Sequence, residues 1–187
     1  MIVRRALLAG LAAVVVAAII AGVTMFLYRG GLRDAEAGMG PCAEGSTFHC
    51  IPHLRAGDML AALKKRGFDC DGPARSDGCA LYVGENVYTV RVASADGGIS
   101  RLTATVVTRA DAEPSAGAVA LLRWVAGVPF AQDREGAGEV DAWLVKHVAE
   151  RRNVSAAIAN YEYHLDDDSG IGDRRSLRLA IGEKIAW

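Results

Sequence analysis

The chain has 187 residues, 51% of them hydrophobic, with 21 Lys and Arg against 22 Asp and Glu and a formal net charge of −1. Nothing in this balance indicates a nucleic-acid-binding surface, which needs clustered basic residues, so we expect no nucleic-acid partner. Outside an apolar N-terminal stretch, about 155 residues remain, which is enough for one domain with a buried core and too few for two large ones.

The N-terminal stretch is the most distinctive feature of the sequence. Residues 6–28 form an apolar run without charge, preceded by Arg4 and Arg5. As a helix, this run covers roughly 34 Å, against about 30 Å for the hydrocarbon core of a bilayer. The sequence therefore predicts a transmembrane anchor. Two alternatives stay open: a signal peptide cleaved near 35–37, and lipid attachment at Cys42.

The anchor sets the predicted domain organisation and location. We expect a cytoplasmic stub over 1–5, the anchor over 6–28, a glycine-rich juxtamembrane tether over 29–54 and one extracytoplasmic domain over 55–187. Arg4 and Arg5 favour a cytoplasmic N-terminus, but Arg29 and Arg33 beyond the run nearly balance them, so the cysteines described next decide the orientation. The sequence thus predicts a single-pass plasma-membrane protein with its C-terminal domain outside and the membrane as a partner through 6–28.

Four cysteines follow the apolar run, at Cys42, Cys50, Cys70 and Cys79. An even number downstream of an export-type segment indicates two disulfides in an oxidising compartment. Both Cys42–Cys50 and Cys70–Cys79 close short, turn-rich intervals, so we expect these pairings. A metal site that also uses His49 and His53 is the alternative, but the spacing lacks a paired Cys-x-x-Cys pattern.

Three segments carry helical apolar stripes. The first follows Asp58, whose carboxylate suits a helix cap, and ends near Gly67. The second opens at 113–115 and ends at Gly127. The third spans 138–151 and is predicted to bury one face.

The remaining regular segments alternate in polarity as strands do. Residues 80–83 precede a Gly-Glu-Asn turn, 87–94 and 99–108 flank an Asp-Gly-Gly turn, and 154–165 is followed by 176–181. The first group is either a hairpin or a three-stranded meander. We expect an α+β domain in which antiparallel hairpins pack against helices on one face. Helix followed by hairpin occurs over 58–108 and again over 138–183, which is compatible with an αββ duplication.

Two histidines are the first candidates for chemistry. His147 lies on the apolar stripe of the third helix, which favours a structural role. His164 alternates to the outer face of its strand beside Glu162, where a solvent-facing pair is the simpler interpretation. Because the chain has no nucleophile elbow, no phosphate-binding glycine loop and no zinc-protease helix motif, we do not expect an enzyme.

An acidic stretch near the C-terminus is the weak candidate for a metal site. Asp166, Asp168 and Asp173 could gather around Ca²⁺, although the EF-hand pattern is absent. Asp168-Ser169-Gly170 matches the aspartic-protease motif, but a second copy is missing. We therefore expect no cofactor and no metal beyond this weak calcium candidate.

The sequence predicts a broad class of function and no specific activity. The anchor and disulfides favour a membrane-anchored bacterial cell-envelope protein whose outer domain binds or modulates another protein or an envelope component. The alternatives are an accessory subunit of a larger membrane complex and an envelope enzyme that uses His147, His164 and the acidic stretch.

Overall fold

The structure is a computed structural model of the chain. It describes residues 39–71, 78–159, 161–168 and 173–182. These residues belong to one compact unit, Gly38–Trp187. The predicted stub over 1–5 and anchor over 6–28 lie outside the described residues.

Eight strands and three α-helices make up the described part of the chain. The strands are β1 (Gly40–Pro41), β2 (His49–Arg55), β3 (Gly78–Val83), β4 (Asn86–Ala95), β5 (Gly98–Arg109), β6 (Val154–Ile158), β7 (Tyr161–Asp168) and β8 (Arg174–Gly182). The helices are α1 (Ala56–Lys65), α2 (Ala116–Gly127) and α3 (Arg134–Glu150), with a short 3₁₀ turn at Val128–Phe130 after α2.

The strands form one antiparallel sheet in the order β3-β4-β5-β8-β7-β6. β2 pairs with the start of β5 at Ile99 and Gly98, and β1 pairs with β2. A helix followed by three strands therefore occurs twice, as α1-β3-β4-β5 and as α3-β6-β7-β8. The two three-stranded units meet at the β5–β8 pair, with their strands in mirrored order.

One face of this sheet carries the core. Strand side chains alternate between faces, so Leu102, Ala104 and Val106 of β5 lie opposite Ile181, Leu179 and Leu177 of β8. These residues form one buried cluster with apolar residues of all three helices. The helices therefore cover this face, called here the inner face, and burial of its apolar surface is the main force that stabilises the fold.

The fold-class and localisation predictions are corrected by this architecture. The described chain is mostly antiparallel sheet, and none of its helices is long and apolar enough to cross a membrane. α1 and α2 have 10 and 12 residues, against about 20 for a span, and the 17 residues of α3 include charged ones. The prediction of a single-pass plasma-membrane protein is therefore unsupported by the described residues.

The C-terminal strand prediction was wrong in one place. The stretch predicted as a single strand over 154–165 is two antiparallel strands, β6 and β7, joined by a tight turn in which Ala159 has a φ of 45°. The extra strand turns the second expected αββ unit into αβββ, and β3, at the stretch 80–83 that the sequence also predicts as a strand, does the same for the first. β1 and β2 also lie within 40–55, where the sequence predicted mainly a tether.

Helix starts depend on capping groups. α2 begins just after 113–115, where its start was predicted, and Ser115 caps it, since its side chain accepts from the Ala118 amide at 3.1 Å. α1 instead begins at Ala56 with no side-chain cap, and Asp58 lies inside its first turn. α3 begins at Arg134, earlier than predicted, because Asp133 provides a side-chain cap.

Candidate functional site

The second face of the sheet, called here the open face, is polar. Its side chains alternate with the core residues along each strand, and all three helices pack on the opposite side. Thr103 of β5, Ala180 of β8, His164 of β7 and Ser155 of β6 are successive cross-strand neighbours, so they form one row across this face. This row is therefore the candidate ligand-binding surface.

A cleft of about 270 Å³ lies on this row. The sheet explains its shape, because the small side chain of Ala180 lies between the larger Thr103 and His164 and leaves a depression. The residues that line the cleft are Arg101, Thr103, His164, Asp166, Arg178 and Ala180.

The cleft has both positive and negative groups. Arg178 donates to Asp166 Oδ2 from Nε at 3.0 Å and from Nη2 at 2.7 Å, across the β7–β8 pair. The side chains are 56% and 35% exposed, so they remain accessible to a ligand. With Arg101 on the other side, the cleft offers hydrogen-bond donors and acceptors in the same small volume.

His164 connects the cleft to the edge of the sheet. Its Nδ1 lies 2.7 Å from Ser155 Oγ on the edge strand β6, and its Nε2 lies 3.5 Å from Glu162 Oε1. The other oxygen, Glu162 Oε2, is buried and has no hydrogen-bond partner among the described residues. The structure thus places His164 beside Glu162 on the open face, as predicted, but the two side chains are only 21% and 17% exposed and are not the expected solvent-facing pair. It also adds Ser155, which the sequence prediction did not include.

The other candidates lie elsewhere. His147 Nδ1 is 2.7 Å from the carbonyl oxygen of Trp143, and its ring centroid is 5.4 Å from that of Trp143. It does not line the cleft. Its expected structural role stays a prediction that these packing contacts favour.

The acidic stretch forms part of a strand. Asp166 and Asp168 both belong to β7, and Asp166 is paired with Arg178. Within the ranges the structure describes, no group of three or more His, Cys, Asp or Glu side chains is arranged to hold a metal ion. Ser169 and Gly170 of the protease-like motif lie outside those ranges.

Two disulfides are present, as expected. The structure joins Cys42 to Cys50 and Cys70 to Cys79. The first fastens the loop after β1 to β2, and the second fastens the end of the α1 region to β3. They lie away from the cleft and support a domain made for an oxidising compartment.

A buried ion pair on the inner face was missed by the sequence interpretation. Arg175 of β8 donates to Asp167 of β7 through Nε at 2.7 Å and also through Nη2, and both side chains are about 95% buried. Hydrogen bonding to Asp167 raises the pKa of Arg175. Strand alternation was the available signal, because it places Arg175 on the same face as Leu177 and Asp167 on the same face as Leu165.

Comparison of the chain with protein-family models, with curated proteins and with solved structures finds no match. The fold alone does not determine a function. The function must therefore be argued from the geometry and chemistry of the open face.

Proposed function

We propose that this protein is a disulfide-stabilised, extracytoplasmic binding module that holds a polar envelope component, a neutral saccharide, in the cleft of its open face. The observation that carries the proposal is the cleft itself: a depression over Ala180 that is lined by both guanidinium and carboxylate groups. The two disulfides support an extracytoplasmic location.

The charge balance of the cleft selects the ligand class. Arg101 and Arg178 would attract an anion, but Asp166 lines the same cleft and Glu162 lies beside His164. A simple cation would likewise meet two guanidinium groups. A neutral ligand rich in hydroxyl groups can accept from the arginines and donate to the carboxylates, and both kinds of contact are strengthened by charge.

The size and surface of the cleft favour a small polar ligand over a protein partner. Its volume of about 270 Å³ is near the lower end of ligand sites, roughly 300–1,000 Å³. Protein interfaces are usually centred on aromatic and other large anchors. In the described part of the chain the exposed large hydrophobic residues do not line the cleft; they are Phe48, Tyr82, Val83 and Val145.

Isothermal titration calorimetry with neutral cell-wall oligosaccharides tests the proposal. We expect the wild-type chain to bind at least one of them and Arg178→Gln to weaken that binding about tenfold or more, the factor that about 1.4 kcal/mol represents. Arg109→Gln is the matched control, since Arg109 ends β5 on the open face and does not line the cleft. Equal affinity of wild type and Arg178→Gln, or binding to none of the saccharides, would contradict the proposal.

A further inference from the structure

A second chemical feature adjoins the cleft, at the edge strand of the sheet. Ser155 of β6 and His164 of β7 are directly opposite each other in the antiparallel register, and Glu162 lies two residues before His164 on the same face. The three functional groups therefore follow one another as hydroxyl, imidazole and carboxylate. The separations are 2.7 Å from Ser155 Oγ to His164 Nδ1 and 3.5 Å from His164 Nε2 to Glu162 Oε1.

The carboxylate determines which nitrogen of His164 acts as the base. A negative oxygen near Nε2 favours the tautomer with its proton on Nε2. The lone pair of the neutral ring is then on Nδ1, which accepts the hydrogen bond from the Ser155 hydroxyl. A nucleophile, a base and a group that orients the base are the three components of an activated serine.

The three side chains differ in exposure: the serine is open to solvent, and the histidine and glutamate are largely shielded, as a reactive serine with its base requires. Ser155 is exposed, so an incoming substrate can reach its Oγ. The side chains of His164 and Glu162 are only 21% and 17% exposed, which keeps the base and its carboxylate partly shielded from water. Electrostatic interactions between such shielded groups are stronger than between exposed ones.

We propose that Ser155 is a nucleophile activated by His164 and that the site cleaves small acyl esters whose polar part occupies the cleft. Ser155 Oγ attacks the ester carbonyl carbon while its proton passes to His164 Nδ1, and Glu162 stabilises the resulting imidazolium. The bond from the acyl carbon to the alcohol oxygen then breaks, and the alcohol leaves with the proton from Nδ1. Water, deprotonated by His164, attacks the acyl-serine and releases the carboxylic acid with Ser155 restored.

The neighbouring arginines suit this substrate class. Arg101 and Arg178 line the same cleft as His164, and the contact of Arg178 with Asp166 uses Nε and Nη2. The guanidinium groups of Arg101 and Arg178 share a cleft with His164, and positive charge of this kind favours the oxyanion that forms during attack. This catalytic inference does not depend on saccharide binding.

Active-site labelling of the purified full chain tests the inference. A fluorophosphonate probe followed by peptide mass spectrometry is expected to modify Ser155, and p-nitrophenyl acetate is expected to give a burst of p-nitrophenol. His164→Gln should slow labelling about 100-fold or more, the usual contribution of a general base. Glu162→Gln should slow it to a lesser degree.

The controls separate activation from simple exposure. Ser176→Ala alters a serine of β8 on the same face, and it is expected to leave labelling at Ser155 unchanged. Circular dichroism checks that each variant is folded. Identifying the labelled serine in the wild-type chain tests the inference without any substitution. Absence of label at Ser155, equal labelling of several serines, or unchanged labelling in His164→Gln would overturn the inference.

Discussion

At the scale of single residues, the inner and outer sides of the β7–β8 pair carry two ion pairs of the same type in different surroundings. Arg175–Asp167 is on the inner face and almost fully buried, whereas Arg178–Asp166 is on the open face and partly exposed. The two residues of the buried pair also contact neighbouring loops. Arg175 Nη1 donates to the Ala112 carbonyl, before α2, at 3.4 Å, and the backbone amide of Asp167 donates to Asn153 Oδ1, after α3, at 2.7 Å.

The first prediction uses this matched pair. Arg175→Met leaves the Asp167 carboxylate buried without its partner, so we expect the free energy of unfolding to fall by about 3–5 kcal/mol. Arg178→Met removes a pair in contact with water and should lower it by at most about 1 kcal/mol. Urea denaturation of the three proteins measures both values. An equal loss of unfolding free energy in the two variants would show that the buried Arg175–Asp167 pair contributes no more to stability than the exposed pair.

Tyr163 supplies a prediction about pH. Its hydroxyl donates to the carbonyl of Ala126 at the end of α2, and burial, followed by the nearby Tyr161, raises its pKa well above 10. The unfolded phenol ionises near pH 10, so above that pH the unfolded state binds fewer protons than the native state and stability falls with rising pH. Below about pH 9 both states are protonated and this effect is absent.

Tyr163→Phe should therefore flatten the alkaline limb of the stability curve. Urea denaturation from pH 8 to pH 11.5 is expected to show a decline that is smaller than in wild type by up to about 1.4 kcal/mol per pH unit above pH 10. At pH 8 the variant should be less stable by about 1 kcal/mol, the value of the lost hydrogen bond. Parallel curves for the two proteins above pH 10 would contradict this account.

At the scale of elements, the start of α3 shows how a local contact fixes a helix boundary. Asp133 Oδ1 accepts from the Glu135 amide at 3.0 Å and from the Gly136 amide at 3.2 Å. An added Cβ at Gly136 would lie 2.6 Å from both Asp133 Oδ2 and the Phe130 ring. Gly136 is thus required by the close approach of the cap and the ring, while Gly138, with no atom within 4 Å of such a Cβ, has no such restriction.

Alanine at these two glycines should give opposite results. Gly136→Ala forces the cap and the Phe130 ring apart and should lower the free energy of unfolding by about 1–3 kcal/mol. Gly138→Ala should raise it by about 0.5–1 kcal/mol, because alanine favours a helix over glycine. Thermal and urea denaturation of both variants check the signs. A stabilising Gly136→Ala would mean that the contact is looser than described.

The helices and hairpins were predicted to the extent that each depends on local signals. The turn at 96–98 and the helix start at 113–115 are encoded by neighbouring residues, and both elements form close to where they were expected. The break between β6 and β7 was missed because a non-glycine residue, Ala159, adopts the positive φ of the turn. The local signal is a single turn-favouring residue, Asn160, inside a run of strand-like alternation.

The candidate site was less predictable than the fold. His164 and Glu162 share a face by simple alternation along one strand. The approach of His164 to Ser155, Arg101 and Arg178 depends on strand register and on the order β5-β8-β7-β6, which no local pattern specifies. Alternation also places Arg175 and Asp167 on the inner face, but their contact depends on the β7–β8 register.

At the scale of the whole molecule, the sheet divides two tasks between its faces. The inner face packs against all three helices and provides stability, and the open face retains polar side chains around a cleft of about 270 Å³. The disulfides hold segments at the N-terminal side of the described domain and away from the cleft. We propose that this protein binds its ligand on the open face.

The most direct test of that claim is a two-dimensional ¹H–¹⁵N NMR titration of the folded chain with a neutral cell-wall oligosaccharide. The account predicts shifts concentrated at the cleft residues of β5, β7 and β8, with the amides of α2 and α3 almost unchanged. Shifts centred on the helices, or no shifts at a saturating concentration of the oligosaccharide, would contradict it.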